Sequence, residues 1–238
     1  MSGLIRGMID QVLKNMGEEE RAQSVNYVTD RMVERMNPDT AGRPVLIKGK
    51  TQILFGGMGR LLENCVVNLK NKSHSVTAEI VVPEKGAEGV IVSQGANIGG
   101  WSLYAKDGKL KYCYNWGGFK HFFVEGSTPI PAGDHQVRME FAYAGGGLGK
   151  GGKATLFVDG KKVGEGEIGA TLAMVFSADD GCDVGEDSGA PVSPDYGAKG
   201  NAFNGRVKGV QLAIAEAAES LDHLISPEVA VHLAMARQ

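Results

Sequence analysis

The chain has 238 residues, 42% hydrophobic and 22% charged, ordinary globular values with length enough for a sizeable core, which exclude a wholly disordered polymer. The formal net charge is -3; it lacks the basic excess of nucleic-acid or anionic-membrane binders, so neither partner is expected. Glycine is the outlier at 35 residues, about twice its usual share and without a Gly-X-Y period, which predicts many tight turns.

At the N-terminus Leu4, Ile5, Met8, Val12, Leu13 and Met16 recur at three- and four-residue spacing and predict an amphipathic helix. A second helix follows from Glu18-Glu19-Glu20 in a first turn and from Val25, Val28, Met32 and Met36, with Pro38 as its stop. These Met-rich faces either pack on the main domain or dock a partner, a second copy included. Arg6 and Asp10 interrupt the opening before it reaches signal-peptide length, so a cytoplasmic location is expected. No apolar run approaches the length of a membrane span. Cys65, Cys113 and Cys182 show neither CxxC spacing nor an even count, so no disulfide framework or zinc site is signalled.

From about residue 48 the period changes to two. Strands are expected at residues 51–55, 65–69, 75–82, 89–93, 101–106, 109–116, 120–124, 136–143, 153–158, 161–166, 172–176 and 203–214. Asp107-Gly108 and Asp159-Gly160 accept the positive φ of type I′ turns and predict two hairpins. So many strands require two stacked antiparallel sheets, because one open sheet would leave a face uncovered. Ser226-Pro227-Glu228 reads as the start of a short closing helix. The organisation expected is an N-terminal helical segment over 1–47, an all-β sandwich over 48–214 and a C-terminal helical tail over 215–238.

Candidate chemistry is sparse. Gly147, Gly149 and Gly152 fit GxGxxG formally, but a strand-like segment follows where a phosphate-binding helix is required, so an inter-strand loop is favoured. In the acidic stretch 179–187, Asp183, Glu186 and Asp187 offer oxygen ligands for a loop Ca2+ without EF-hand spacing; turn capping and solvated carboxylates are the favoured explanation. Trp101, Tyr112, Tyr114 and Trp116 lie in one hairpin region, where an exposed set would stack on a sugar ring and a buried set would pack the core. The five histidines show no HExxH or HxH spacing, and no GxSxG elbow or ExDxxE carboxylate set is present.

The strings Asn37-Pro38-Asp39-Thr40-Ala41-Gly42-Arg43-Pro44, Phe55-Gly56-Gly57-Met58-Gly59-Arg60-Leu61, Lys70-Asn71-Lys72-Ser73-His74-Ser75 and Asp183-Val184-Gly185-Glu186-Asp187 resemble the C-terminal region of bacterial arylsulfatases. The resemblance covers roughly residues 31 to 212. It implies a concanavalin/laminin-G-like jelly roll. The nucleophile of that family, Cys or Ser followed by x-Pro-x-Arg, occurs nowhere in the chain. Sulfate ester cleavage needs an activated nucleophile and a metal or cationic clamp, and no organised set of either is visible. The expectation is therefore a non-catalytic accessory module of arylsulfatase type, inactive alone, with a separate sulfatase catalytic chain as a possible partner. Its alternatives are a stand-alone carbohydrate-binding module and an oligomerisation or docking module.

Overall fold

The period-two pattern becomes eleven strands in a computed structural model that describes residues 46–177 and 180–214. In chain order they are β1 Thr51–Phe55, β2 His74–Val82, β3 Gly89–Ala96, β4 Gly99–Lys106, β5 Lys109–Trp116, β6 Lys120–Pro129, β7 Gly133–Tyr143, β8 Lys150–Val158, β9 Lys161–Ala170, β10 Cys182–Val184 and β11 Arg206–Ile214. A short 3-10 turn, Glu63–Cys65, is the one helical element among the described residues. The helices expected before residue 46 and after residue 214 lie outside them.

The strands form two antiparallel sheets, β1-β11-β2-β7-β8-β9 and β10-β3-β4-β5-β6. Their inner faces meet in one core, to which β2 contributes Val76, Ala78 and Ile80, β7 Val137 and Met139, and β4 and β5 Trp101, Leu103, Leu110 and Tyr112. Burying each of the larger aliphatic side chains contributes about 1.5–3 kcal/mol. This is the two-sheet sandwich that alternation predicts, and its topology is consistent with a jelly roll. Asp107 and Gly108 have φ of 53° and 75°, and Asp159 and Gly160 have 49° and 72°, as the two expected turns require.

The edges of the sandwich are also joined. On one side residues 57–61 run beside β10, with the Gly57 N–H donating to Val184 O (3.0 Å) and the Cys182 N–H to Leu61 O (2.8 Å). On the other, β9 crosses so close to β6 that a Cβ on Gly164 would lie 2.4 Å from Glu125 O, and one on Gly166 2.9 Å from Val124 Cγ2. Only glycine admits that approach.

Two expected strands are absent, and side chains explain both. In residues 65–69 the 3-10 turn ends at Cys65, Val66 turns extended, and Val66, Val67 and Leu69 are core residues. The Gln52 amide takes the place of a neighbouring strand there, donating from Nε2 to Cys65 O (2.8 Å) and accepting at Oε1 from the Val67 N–H (2.7 Å). Residues 172–176 are likewise held by side chains: the Leu172 N–H donates to Tyr114 Oη (2.8 Å), the Phe176 N–H to Glu63 Oε2 (3.0 Å), and Asn71 Nδ2 to Ala173 O (2.7 Å). Conversely, β10 forms inside the acidic stretch expected to be a loop.

His74 opens β2 with its ring 5.3 Å from that of Phe141. Nδ1 lies 3.0 Å from Lys72 O, while Nε2 is buried with no partner. Burial pushes the imidazole down from 6.5 to about 4. A depressed folded-state value means that His74 supports the fold fully above the unfolded value and loses that support as pH falls toward the folded one. The free energy of unfolding is therefore expected to drop by about 3 kcal/mol from this residue between pH 6.5 and pH 4. Urea denaturation at both pH values, compared between wild type and His74→Leu, checks this: the variant should lose much of that pH dependence.

Candidate functional site

The outer face of the five-stranded sheet is polar and yet buried. Ser93, Ser102 and Asn115 point away from the core and are at most 2% exposed, which leaves their polar atoms needing partners. The partners come from residues 185–204, which cross β3, β4 and β5 as a strap. The Gly185 N–H donates to Ile91 O (2.9 Å), the Val90 N–H to Asn201 O (2.8 Å) and the Phe203 N–H to Gly185 O (2.8 Å), fixing both ends of the strap to β3.

Its middle is held by side chains. Asn115 Nδ2 donates to Val192 O (3.1 Å), Ala96 O (3.2 Å) and Asn97 O (3.0 Å), and its Oδ1 accepts from the Gly118 N–H (2.8 Å). The Asp187 carboxylate accepts from the Val192 N–H (2.9 Å), and Tyr196 Oη bridges Asp187 Oδ2 (2.7 Å) and Ser102 Oγ (2.9 Å). Asn201 accepts from the Asp187 N–H (3.0 Å) and donates to the carbonyls of Asp187 and Gly197, each at 2.9 Å. Farther along, Asp195 accepts from Tyr104 Oη (2.6 Å) and pairs with Lys111 Nζ (2.6 Å), while Lys106 Nζ donates to its carbonyl (2.5 Å).

The electrostatics follow from burial. Burial pushes the Asp187 carboxyl above the ordinary carboxylate range, and the charges of Asp183 and Asp180 add to the shift. Burial acts on Asp195 in the same direction, but hydrogen bonds from Lys111 and Tyr104 outweigh it and hold that carboxyl below its usual value. Burial pushes Cys113 up to about 12 and raises Cys182 too, so neither supplies a thiolate near neutral pH. Among the described residues no hydrogen bond joins a histidine to a serine or cysteine.

The expected site residues separate. Trp101 and Tyr112 are each 1% exposed and Tyr114 is 5% exposed; all three are core side chains between the sheets, so they offer no face to a ligand. Of that set only Trp116 reaches the surface in part, 6.3 Å from the exposed ring of Phe119. Alternation puts Tyr112, Tyr114 and Trp116 on one face of β5, and that face is the inner one. For the metal set, Asp183 accepts from the Arg60 N–H (2.5 Å) and from Ser188 N–H and Oγ (2.9 and 2.8 Å), Asp187 is tied as above, and Glu186 is exposed. Among the described residues no group of three His, Cys, Asp or Glu side chains is placed to hold a metal ion. The acidic stretch is a capping device, because its carboxylates terminate backbone N–H groups of the strap.

Where the strap meets the β2–β3 connection it leaves a cleft of about 320 Å³. Lys85, Glu88, Lys106, Asp195, Tyr196 and Asn204 line it. The Glu88 carboxylate accepts from the Asp107 N–H (2.9 Å), and Asn204 donates to Gly86 O (2.9 Å) while accepting from the Glu88 N–H (3.0 Å), so the wall is held rigidly. Nothing in the sequence marked this cleft, since its residues run from Lys85 to Asn204 and only the strap brings them together.

No family model and no curated protein matches the chain. Among solved structures it is similar to the CBM40 of the Ruminococcus gnavus IT-sialidase bound to α2,3-sialyllactose, at 12% identity over 69% of this chain and 90% of that one, with a TM-score of 0.45. The mouse laminin alpha1 chain, domains LG4-5, is 16% identical over 75% of this chain and 45% of that one, with a TM-score of 0.41. Domain 4 of AbnA, a GH43 extracellular arabinanase from Geobacillus stearothermophilus, in complex with arabinotriose, is 15% identical over 71% of this chain and 68% of that one, with a TM-score of 0.40. At such scores the likeness carries no argument about ligand or activity. Nothing in these comparisons links the chain to arylsulfatases.

Replacing Asn115 by Ala removes the amide that satisfies the Val192 carbonyl and the Gly118 N–H beneath the strap. The expected loss is about 3 kcal/mol of unfolding free energy, read by urea denaturation; a loss below about 0.5 kcal/mol contradicts the assignment.

Proposed function

We propose that this chain is a non-catalytic ligand-binding β-sandwich module whose ligand is a carbohydrate, taken up by the cleft between the strap and the β2–β3 connection. The observation that carries the reading is the cleft itself: about 320 Å³, walled by cationic, anionic and amide groups beside the Tyr196 ring. Hydroxyl-rich ligands need donors and acceptors at fixed positions together with an aromatic surface, and such pockets run from about 300 Å³ upward. The same wall holds no paired nucleophile and base, which is what an enzyme acting on a sugar or a sulfate ester requires.

The accessory role beside a sulfatase catalytic chain rests on the sequence strings alone, and no feature of the strap or cleft favours it. The carbohydrate reading needs no partner chain.

A glycan array with the full chain, including sialyllactose and arabinotriose, followed by calorimetric titration of any hit, tests the proposal. Binding should appear at millimolar sugar or better and weaken at least about tenfold in Lys85→Ala/Glu88→Ala, exposed positions where loss of the Glu88–Asp107 hydrogen bond lowers the melting temperature by about 2–4 °C at most. Absence of binding to every glycan, binding indifferent to that double substitution, or turnover of p-nitrophenyl sulfate by the purified chain overturns it.

A further inference from the structure

The two ends of the sandwich are built from the same kind of short connections but differ in what they expose. At one end lie residues 83–88, Asp107-Gly108 and Asp159-Gly160, where Glu84, Glu88, Asp107 and Asp159 alternate with Lys85 and with Lys106, Lys109 and Lys161 on the flanking strand ends. No large apolar side chain is exposed on these turns.

The other end gathers residues 70–73, 97–98, 117–119, 144–149 and 171–177. They form one continuous surface: a Cβ on Gly118 would lie 3.1 Å from Asn97 O, one on Gly99 2.5 Å from Leu172 Cδ1, and one on Gly149 3.7 Å from Ala173 Cβ. The Gly149 N–H donates to Asn71 Oδ1 (2.8 Å), which adds the 70–73 turn. Each of four connections lifts one apolar side chain into solvent: Ile98 at 61%, Phe119 at 62%, Leu148 at 71% and Met174 at 42% exposure. None of these five stretches contains Asp or Glu, although Glu63 and Asp180 lie in the longer connections to which two of them belong. Lys72, Lys120 and Lys150 stand around the apolar tips, and none of the three forms an ion pair with a described residue. The Lys120 stem folds back so that Nζ lies 4.8 Å from the centre of the Phe122 ring.

We propose that this end of the sandwich docks on an anionic phospholipid surface, with Ile98, Phe119, Leu148 and Met174 entering the headgroup boundary and Lys72, Lys120 and Lys150 meeting the lipid phosphates and carboxylates. Apolar tips surrounded by cations, with the one acid beside them, Glu63, already engaged by Lys70 and the Phe176 N–H, match such a surface in both polarity and sign. A second copy of the chain would bring lysines against lysines at the same end. The net charge of -3 does not oppose docking, because the exposed turn acids Glu84, Glu88, Asp107 and Asp159 sit at the far end and fields decay within about 8–10 Å in physiological salt.

Co-sedimentation of the full chain with vesicles of phosphatidylcholine alone, and of phosphatidylcholine with about 30 mol % phosphatidylserine, tests this. Wild type should pellet with the anionic vesicles, much less with the neutral ones, and less at high salt. Two variants, Ile98→Ser/Phe119→Ser/Leu148→Ser and Lys72→Glu/Lys120→Glu/Lys150→Glu, should each cut partitioning at least about tenfold. Both should melt like wild type, because the altered side chains are surface groups. Wild type that stays in the supernatant overturns the proposal, whether or not light scattering shows self-association through these tips. So does equal binding to neutral and anionic vesicles, or a folded variant that binds undiminished.

Discussion

Ser93, Ser102 and Asn115 project from the outer face of the five-stranded sheet into a space without solvent, and the strap exists in its observed form because those groups must be satisfied there. An unpartnered buried amide or hydroxyl costs about 1–3 kcal/mol. Asn115 alone serves both a strap carbonyl and a turn N–H, while Asp187 and Asn201 tie the strap to itself. With the strap fixed, Asp195, Tyr196 and Asn204 reach the cleft; released, they would leave the β2–β3 connection and the end of β4 as an open face.

The same economy recurs at the rim. Gln52 completes the backbone of residues 65–69, and Tyr114, Glu63 and Asn71 complete that of residues 171–176. Side-chain amides, hydroxyls and carboxylates thus do at the margins what ladders do within the sheets. These partners are as much as 113 residues apart in the chain.

That distance explains which parts of the fold can be read without coordinates. Strict alternation in β2 and β7, and the Asp-Gly pairs ahead of β5 and β9, are local signals and mark strands and hairpins directly. Residues 65–69 and 172–176 have the apolar content of strands, but nothing local tells that their hydrogen bonds end on distant side chains. The aromatic set shows the complementary failure: alternation assigns Tyr112, Tyr114 and Trp116 to one face, yet cannot say which face looks inward. Composition near 179–187 reads as cation ligands because carboxylates that cap backbone N–H groups and carboxylates that bind calcium look alike in sequence. Averaging is a further loss. A net charge of -3 conceals an end where lysines surround apolar tips, and only topology gathers them.

Amide hydrogen exchange probes the strap most directly. If its backbone is held as described, the N–H groups of Gly185, Asp187 and Val192 should exchange at least about a thousandfold more slowly than in unstructured chain, in the range of the strands beneath them. Exchange of all three at the rate of an unstructured peptide, with β3 to β5 still protected, would show a strap that does not close the face.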